Sequence, residues 1–106
     1  MSGGLEGYLG LAHRAGQLVG GDAACRDALK AGAAKLVLLA GDAGSAVGRT
    51  FRRLAAQQDV PVRRWGSKES LGRATGSRPR AVWVVRDPGL AEVLCRLLDE
   101  NGGVVR

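Results

Sequence analysis

Residues 16–40 constrain the fold of this chain more than any other segment, because four different patterns follow one another there. A short apolar piece precedes the pair Gly20 and Gly21, which permit a tight backbone turn. Asp22 has a side chain that often caps a helix N-terminus, and apolar residues then recur at helical spacing. Residues 36–40 form a continuous apolar run, which predicts a strand that is covered on both faces.

The start of this predicted helix is also a candidate binding feature. A helix that follows glycines leaves amide N–H groups unpaired at the positive end of its dipole, which suits an anionic or carbonyl-rich partner. An ordinary strand–helix–strand connection has the same pattern. This segment alone therefore favours the structural interpretation over the binding one.

The rest of the chain continues the alternation of helices and strands. Helical spacing predicts a first helix over residues 5–14. The segments predicted after residue 40 are a helix that ends near Gln58, a strand at 62–65, a short helix capped by Ser67, a strand at 81–85 and a last helix capped by Asp87. We expect residues 104–106 to be frayed.

This order predicts one α/β domain over residues 1–106. Helices between successive strands indicate parallel crossovers and cover both faces of the sheet. We therefore predict a three-layer α-β-α sandwich with a four-stranded mixed sheet and about five helices.

The charge of the chain is concentrated in its middle. The formal net charge is +6, and residues 49–86 hold ten basic groups against two acidic ones. A basic region between a neutral N-terminal part and an acidic C-terminal part favours a polyanionic partner, most simply nucleic acid. Solvated arginines on a protein that binds no anion are the alternative, and composition alone leaves it open.

No residue pattern in the sequence indicates an enzyme. The chain lacks a P-loop and a dinucleotide fingerprint, and His13, Cys25 and Asp42 have no spacing that suggests a catalytic set. We expect His13 to lie at a helix end, and Cys25 and Cys95 to be buried free thiols in a reducing cytoplasm. The N-terminal residues do not form a signal peptide, and no apolar run is long enough to span a membrane. We predict no cofactor and no metal site.

Three segments form a recognisable set: LGLAHRAGQLV at residues 9–19, GAAKLVLLAGDA at 32–43, and VPV at 60–62 followed by SK at 67–68 and LGRATGSRP at 71–79. The set resembles the kink-turn-binding ribosomal protein family, and in particular its bacterial YlxQ-type members. The third segment is similar to the family's Ser-Lys-x-x-Leu-Gly-x-Ala-x-Gly helix and the loop after it. The resemblance covers most of the chain and implies a small α-β-α sandwich that binds RNA.

Members of this family bind RNA at a sharp bend flanked by tandem sheared G·A pairs, and the resemblance assigns two binding elements to this chain. The first is the start of the second helix, where a Gly-x-Asn-Glu-x-x-Lys pattern reads base edges. Gly21 keeps the glycine, but Ala23 and Ala24 replace Asn and Glu, and Asp27 replaces Lys. Because each bidentate base contact contributes roughly 1–3 kcal/mol, these changes predict weaker sequence discrimination than the family norm.

The second element is the loop before the last predicted strand, which in the family packs on a nucleotide flipped out of the RNA helix. Lys68 matches a basic family position near the RNA backbone, and residues 77–79 resemble the Ser-Arg-Pro of the eukaryotic relative's loop. A lysine acts on phosphate as a point charge. Arg78 and Arg80 can bind phosphate with a guanidinium fork or stack on an unpaired base.

We therefore predict a non-enzymatic, ribosomal-protein-like RNA-binding protein that recognises kink-turn-like or ribosomal RNA. The ribosome or other ribonucleoprotein components are further expected partners, and we expect a monomer without a membrane partner. The predicted RNA-binding residues are Gly20, Gly21, Asp22, Ala23, Arg26, Lys30, Lys68, Ser77, Arg78, Pro79 and Arg80. The alternative is a protein-interaction module that kept the fold and lost specific RNA binding, because a fold alone fixes no function.

Overall fold

The computed structural model describes residues 3–105 of the chain, with side chains from residue 4 to residue 103. The helices are α1 (Gly3–Arg14), α2 (Asp22–Lys30), α3 (Ser45–Gln57), α4 (Lys68–Thr75) and α5 (Pro88–Glu100). The strands are β1 (Leu18–Gly20), β2 (Leu36–Leu39), β3 (Val62–Arg64), β4 (Val82–Val85) and β5 (Val104–Val105). Every predicted helix and strand is present, with bounds within a few residues of the expected ones. No helix between residues 3 and 105 is both long and apolar enough to cross a membrane.

The strands form one mixed sheet with the order β1-β4-β2-β3-β5. Strand β4 lies between β1 and β2 and runs antiparallel to both, whereas β2 and β3 are parallel. The predicted mixed sheet is confirmed. The parallel crossovers inferred from the element order are confirmed for the connections β1–α2–β2 and β2–α3–β3, since β1 and β2 both run against β4 and β3 runs with β2. The inference is wrong for the connection from β3 through α4 to β4, because β4 runs against β2 and therefore against β3.

The short helix α4 explains why β4 runs against its neighbours. The helix ends at Gly76, which adopts a left-handed conformation with φ of 69°. The loop then doubles back over the helix, because the Ser77 amide donates to the Gly72 carbonyl at 2.9 Å. The chain therefore returns to the edge of the sheet at which β3 ended and enters β4 in the opposite direction.

A two-residue fifth strand extends the four predicted strands. Gly102 turns the chain after α5 with φ of 83°, and the Gly103 amide donates to the Leu98 carbonyl at 2.7 Å. Strand β5 then pairs antiparallel with the free edge of β3. The expectation of a frayed end is wrong for residues 104 and 105, since a pairing that short leaves no periodic signal in the sequence. Arg106 lies outside the described residues.

The sheet separates two hydrophobic cores. Helices α1, α4 and α5 pack on one face, and helices α2 and α3 pack on the other. In β2, Leu36 and Leu38 belong to the first core, while Val37 and Leu39 belong to the second. All four side chains are buried, which confirms the predicted strand with two covered faces and completes the three-layer sandwich.

Cys25 connects the start of α2 to the sheet. Its thiol is fully buried and lies 3.6 Å from the Val82 carbonyl oxygen. Burial, reinforced by the Asp22 carboxylate and opposed by the Arg80 guanidinium, raises the pKa of Cys25 to about 12. Both cysteines are free thiols, as predicted, but Cys95 is only partly buried, so the expectation of two buried thiols holds for Cys25 alone.

We expect the free energy of unfolding to decrease between pH 9 and pH 12, and to decrease less steeply in Cys25→Ala. The unfolded chain ionises this thiol near pH 9, whereas the folded protein keeps the proton until about pH 12. Rising pH therefore favours the unfolded state by up to about 1.4 kcal/mol per pH unit from this group. Urea unfolding across this range measures the two slopes, and equal slopes would contradict the prediction.

Candidate nucleic-acid interface

One edge of the sheet brings three helix N-termini together. Strands β1 and β2 both run against β4, and β3 runs with β2, so the carboxyl ends of β1, β2 and β3 lie at the edge where β4 begins. Helices α2, α3 and α4 start from these ends. Backbone hydrogen bonds tie the loops together, from the Ala40 amide to the Ala81 carbonyl at 2.9 Å and from the Gly41 amide to the Gly66 carbonyl at 2.8 Å. We call this region, residues 20–22, 40–45, 65–68 and 80–81, the helix-start edge.

Two of the three helices start without a side-chain cap among the described residues. Gly21 is the N-cap of α2 and Gly44 is the N-cap of α3, and neither glycine has a side chain that can accept from the first-turn amides. In α4, by contrast, the Ser67 hydroxyl accepts from the Ser70 amide, as predicted, and the Asp42 carboxylate accepts from the Lys68 amide at 2.8 Å. The helix-start edge therefore presents amide donors of α2 and α3 at the positive ends of their dipoles.

The predicted cap of α2 is corrected by one residue. Gly21 occupies the N-cap position with φ of 104° and ψ of 153°, a conformation that residues with a side chain rarely adopt. Asp22 is therefore the first helical residue rather than the cap. Its carboxylate accepts a hydrogen bond from Arg26 Nε one helical turn later. The same Arg26 guanidinium lies 5.5 Å from the centre of the Phe51 ring of α3.

Arg80 connects the start of α2 with the loop before β4, two elements that are far apart in the sequence. A Cβ atom built on Gly21 would lie 2.5 Å from Arg80 Nη1, and one built on Gly20 would lie 2.7 Å from Arg80 Cδ. The Arg80 side chain thus lies across the glycine turn, and side chains at positions 20 and 21 would displace it. The loop before β4 and the start of α2 form one continuous surface through this contact.

The loop that carries Arg80 is held in place by a second glycine. A Cβ atom on Gly72 would lie 2.9 Å from the carbonyl carbon of Arg78 and from the nitrogen of Pro79, so the loop packs on the bare backbone of α4. Arg78 and Pro79 are exposed, and Ser77 is half-buried. Among the described residues Arg78 and Arg80 form no salt bridge, so their guanidinium groups are available to an anion.

The remaining predicted residues differ in how close they lie to Arg80. Lys68 is exposed at the start of α4, within the helix-start edge, and Ala23 is exposed in the first turn of α2. Arg26 is already engaged by Asp22 and Phe51. Lys30 lies in the last turn of α2, about 12 Å along the helix axis from its start, and is not part of the same cluster.

Comparison with known proteins identifies the family. The family model of the ribosomal protein L7Ae/L30e/S12e/Gadd45 family matches residues 4–95. The chain belongs to this family. Over 91 residues it is 37% identical to a protein named RNA-binding protein YlxQ from Bacillus subtilis (strain 168), a match that covers 86% of this chain and 91% of the relative.

Two solved structures resemble this L7Ae-family protein. A protein of unknown function from Bacillus halodurans C superimposes with a TM-score of 0.87 at 34% sequence identity, over 91% of this chain and 97% of that one. The Giardia lamblia 15.5kD RNA binding protein superimposes with a TM-score of 0.73 at 21% identity, over 91% and 82% of the two chains. At that identity the second structure supports the fold, and the predicted resemblance to the family is confirmed by the family match.

The structure of this L7Ae-family protein adds a residue that sequence reasoning missed. Arg64, at the end of β3, directs Nη1 towards the carbonyl oxygens of Ala40, Gly41 and Ala43 at 3.3, 3.3 and 3.5 Å. The half-buried guanidinium thereby holds the loop that leads from β2 into α3. No local pattern in the sequence points to this role, because the carbonyl groups lie more than 20 residues away along the chain.

Proposed function

We propose that this protein binds structured RNA at the helix-start edge and catalyses no reaction. The observation that carries the proposal is the contact of Arg80 with the Gly20–Gly21 turn. This contact joins the two elements that the family resemblance assigns to RNA binding into one surface. Uncapped amides of α2 and the guanidinium groups of Arg78 and Arg80 supply donors for phosphate and base oxygens. The name of the relative that is 37% identical, RNA-binding protein YlxQ, supports the same conclusion.

The preferred RNA class is one with a sharp bend, such as a kink turn. The glycine turn lies at the start of α2, where family members approach the sheared G·A pairs, and the 77–80 loop offers an exposed surface to a nucleotide that leaves the stack. Stacking and hydrogen bonding to splayed bases is the usual mode of specific RNA recognition by proteins. Lys68 at the same edge adds a phosphate contact.

Discrimination between RNA sequences should be weaker than in family members with the full Gly-x-Asn-Glu-x-x-Lys pattern. Ala23 and Ala24 are exposed in the first turn of α2 but carry no hydrogen-bonding group. Asp27 is exposed one turn later and adds a negative charge to the surface that would face RNA. Binding would then depend mainly on phosphate contacts and on the shape of the bend.

A titration of two RNAs across a salt series tests the proposal. One RNA contains a kink turn, and the other has the same length but lacks the sheared G·A pairs. We expect binding to both, with a modest preference for the intact bend and an affinity that falls linearly on a log–log plot against salt. Tight binding that vanishes when the pairs are changed would contradict the weakened discrimination.

Binding to neither RNA would favour the second candidate function, a protein-interaction module. The observation in its favour is the loss of base-reading side chains at Ala23, Ala24 and Asp27. Within the described part of the chain, no three His, Cys, Asp or Glu side chains are grouped so as to hold a metal ion. We propose that the protein acts as a monomer in the cytoplasm, with ribosomal or other ribonucleoprotein RNA as its target.

We expect Arg80→Gln to weaken RNA binding roughly tenfold, because the variant cannot make a charge-assisted hydrogen bond to phosphate or base. The matched control is Arg96→Gln, which removes an exposed guanidinium on α5, on the other face of the sheet, and should change the affinity less than twofold. Fluorescence anisotropy with the kink-turn RNA measures both variants. If the two variants bind equally well, Arg80 does not contact the RNA.

A further inference from the structure

A second basic surface lies on α3, separate from the Arg80 contact. We call it the α3 arginine face: Arg49, Arg52 and Arg53 of the helix, together with Arg64 from the end of β3. Arg49 and Arg53 are exposed, and Arg52 and Arg64 are half-buried. The thirteen residues of α3 include three arginines and no acidic residue.

Two guanidinium groups of this face converge on one glycine. A Cβ atom built on Gly48 would lie 2.8 Å from Arg64 Nη2 and 3.1 Å from Arg52 Nη1. The absence of a side chain at this buried helical position therefore lets two positive charges approach each other. Nη2 of Arg64 points here, while Nη1 is directed at the carbonyl groups of the loop before α3.

The clustering of these guanidinium groups is electrostatically unfavourable while no anion is bound to the protein. Arg49 lies three and four residues before Arg52 and Arg53, and like charges at these spacings repel one another on a helix. Three other arginines are paired with carboxylates, namely Arg26 with Asp22, Arg63 with Asp99 and Arg73 with Glu69. The three arginines of α3 make no salt bridge within the described structure. Their repulsion is relieved when an anion binds.

The shape and chemistry of the face indicate phosphate rather than bases. Ala46, Arg49, Thr50 and Arg53 line a groove of about 340 Å³ along one side of the helix. The groove offers guanidinium and hydroxyl donors, and the aromatic residue of α3, Phe51, is buried in the core and cannot stack on a base. Guanidinium forks match phosphate oxygens and carry no sequence information.

We propose that the α3 arginine face binds the phosphate backbone of the RNA helix that adjoins the bend bound at the helix-start edge. This inference rests on the proposed function. Helix α3 begins at the same edge as α2, and the Arg26 guanidinium over the Phe51 ring joins the two helices. Because α2 and α3 lie side by side on the same face of the sheet, an RNA helix that extends from the Arg80 site across α2 would reach α3 next. The face adds affinity for a helical arm without reading its sequence.

The first test removes charge from the face. We compare the double variant Arg52→Gln, Arg53→Gln with the double variant Arg14→Gln, Arg96→Gln, whose exposed arginines lie on α1 and α5 in the other helical layer. On a kink-turn RNA with long helical arms, the α3 variant should bind roughly three- to tenfold more weakly at about 150 mM salt, and its salt slope should be smaller by roughly 0.7 to 0.9 for each phosphate that it no longer neutralises. The control should keep the wild-type slope. The difference between the variants should disappear when the arms are shortened to a few base pairs.

The second test displaces the guanidinium groups without changing the net charge. In Gly48→Ala the new methyl group occupies the space that Arg52 and Arg64 share, and alanine also favours the helix, so folding should be preserved. The control is Gly7→Ala in α1, where a Cβ atom would meet no other atom within 4 Å. We expect weaker binding of the long-armed RNA by Gly48→Ala and unchanged binding by Gly7→Ala, with thermal unfolding confirming that both variants are folded.

The outcomes separate this inference from the proposed function. Weaker binding with an unchanged preference for the intact bend supports the α3 arginine face. If the α3 double variant matches its control while the wild type binds RNA, the inference is wrong and the proposed function stands. If the α3 double variant loses the preference for the intact bend, α3 contacts the bend itself. That result would contradict the inference that the α3 arginine face binds only the backbone of the adjoining helix. Absence of RNA binding by the wild type overturns both proposals.

Discussion

Replacing Gly21 by alanine is expected to lower the affinity for kink-turn RNA more than tenfold and to destabilise the fold by about 1–3 kcal/mol. The backbone at Gly21 has φ of 104° and ψ of 153°, a region in which a Cβ atom is strained. The added methyl group would also lie 2.5 Å from Arg80 Nη1 and force the guanidinium away from the turn. Both halves of the proposed interface would therefore change together. Urea unfolding and RNA titration measure the two effects.

The control for this variant is Gly32→Ala, after the other end of α2. Gly32 has φ of 70°, so alanine is strained there too, but a Cβ atom would meet no neighbouring atom within 4 Å. We expect this variant to lose stability while its RNA affinity, measured where it is fully folded, stays near that of the wild type. An equal loss of affinity in both variants would show that backbone strain, rather than the position of Arg80, limits binding.

Local sequence signals predicted most of the secondary structure because they act over a few residues. Ser67 and Asp87 cap α4 and α5 as expected. A side-chain oxygen just before a helix can accept a hydrogen bond from a free amide in the first turn, so this signal is local. The apolar run in β2 predicted a strand buried on both faces, and the structure places its residues alternately in the two cores. The glycine turn was also located from the sequence, although Gly21 rather than Asp22 forms the cap.

The direction of β4 could not be predicted in the same way, although β1, β2 and β3 run in one direction as expected. The direction of β4 depends on how the 77–80 loop folds back over Gly72, a contact whose cause is a missing side chain and not a periodic pattern. The family resemblance predicted the two binding elements, but no sequence pattern predicted that the Arg80 side chain contacts Gly21. Arg64 shows the same limit, because its carbonyl partners become neighbours only when β2 and β3 pair.

Restoring the family pattern in α2 is expected to have the largest effect on RNA discrimination. In the triple variant Ala23→Asn, Ala24→Glu, Asp27→Lys, two base-reading side chains and a basic group return to the exposed first turns of the helix. We expect the preference for the intact kink turn over the RNA without sheared G·A pairs to rise roughly tenfold to more than a hundredfold, since each good base contact contributes roughly 1–3 kcal/mol. The glutamate lies near the positive end of the helix dipole, so the fold should tolerate it.

A control is needed because the triple variant also raises the net charge by one unit. Glu92→Gln makes the same net change on the exposed surface of α5, and it should raise the affinity for both RNAs equally and slightly. A gain confined to the intact kink turn would mean that α2 faces the sheared pairs and that Ala23, Ala24 and Asp27 are what weakens recognition in this chain. If the triple variant and Glu92→Gln behave alike, α2 does not face the bases, and the RNA contact would have to be sought at the 77–80 loop and on α3. The measurement thus tests the orientation of the RNA as well as its affinity, since only an RNA docked on the start of α2 can respond to side chains placed there.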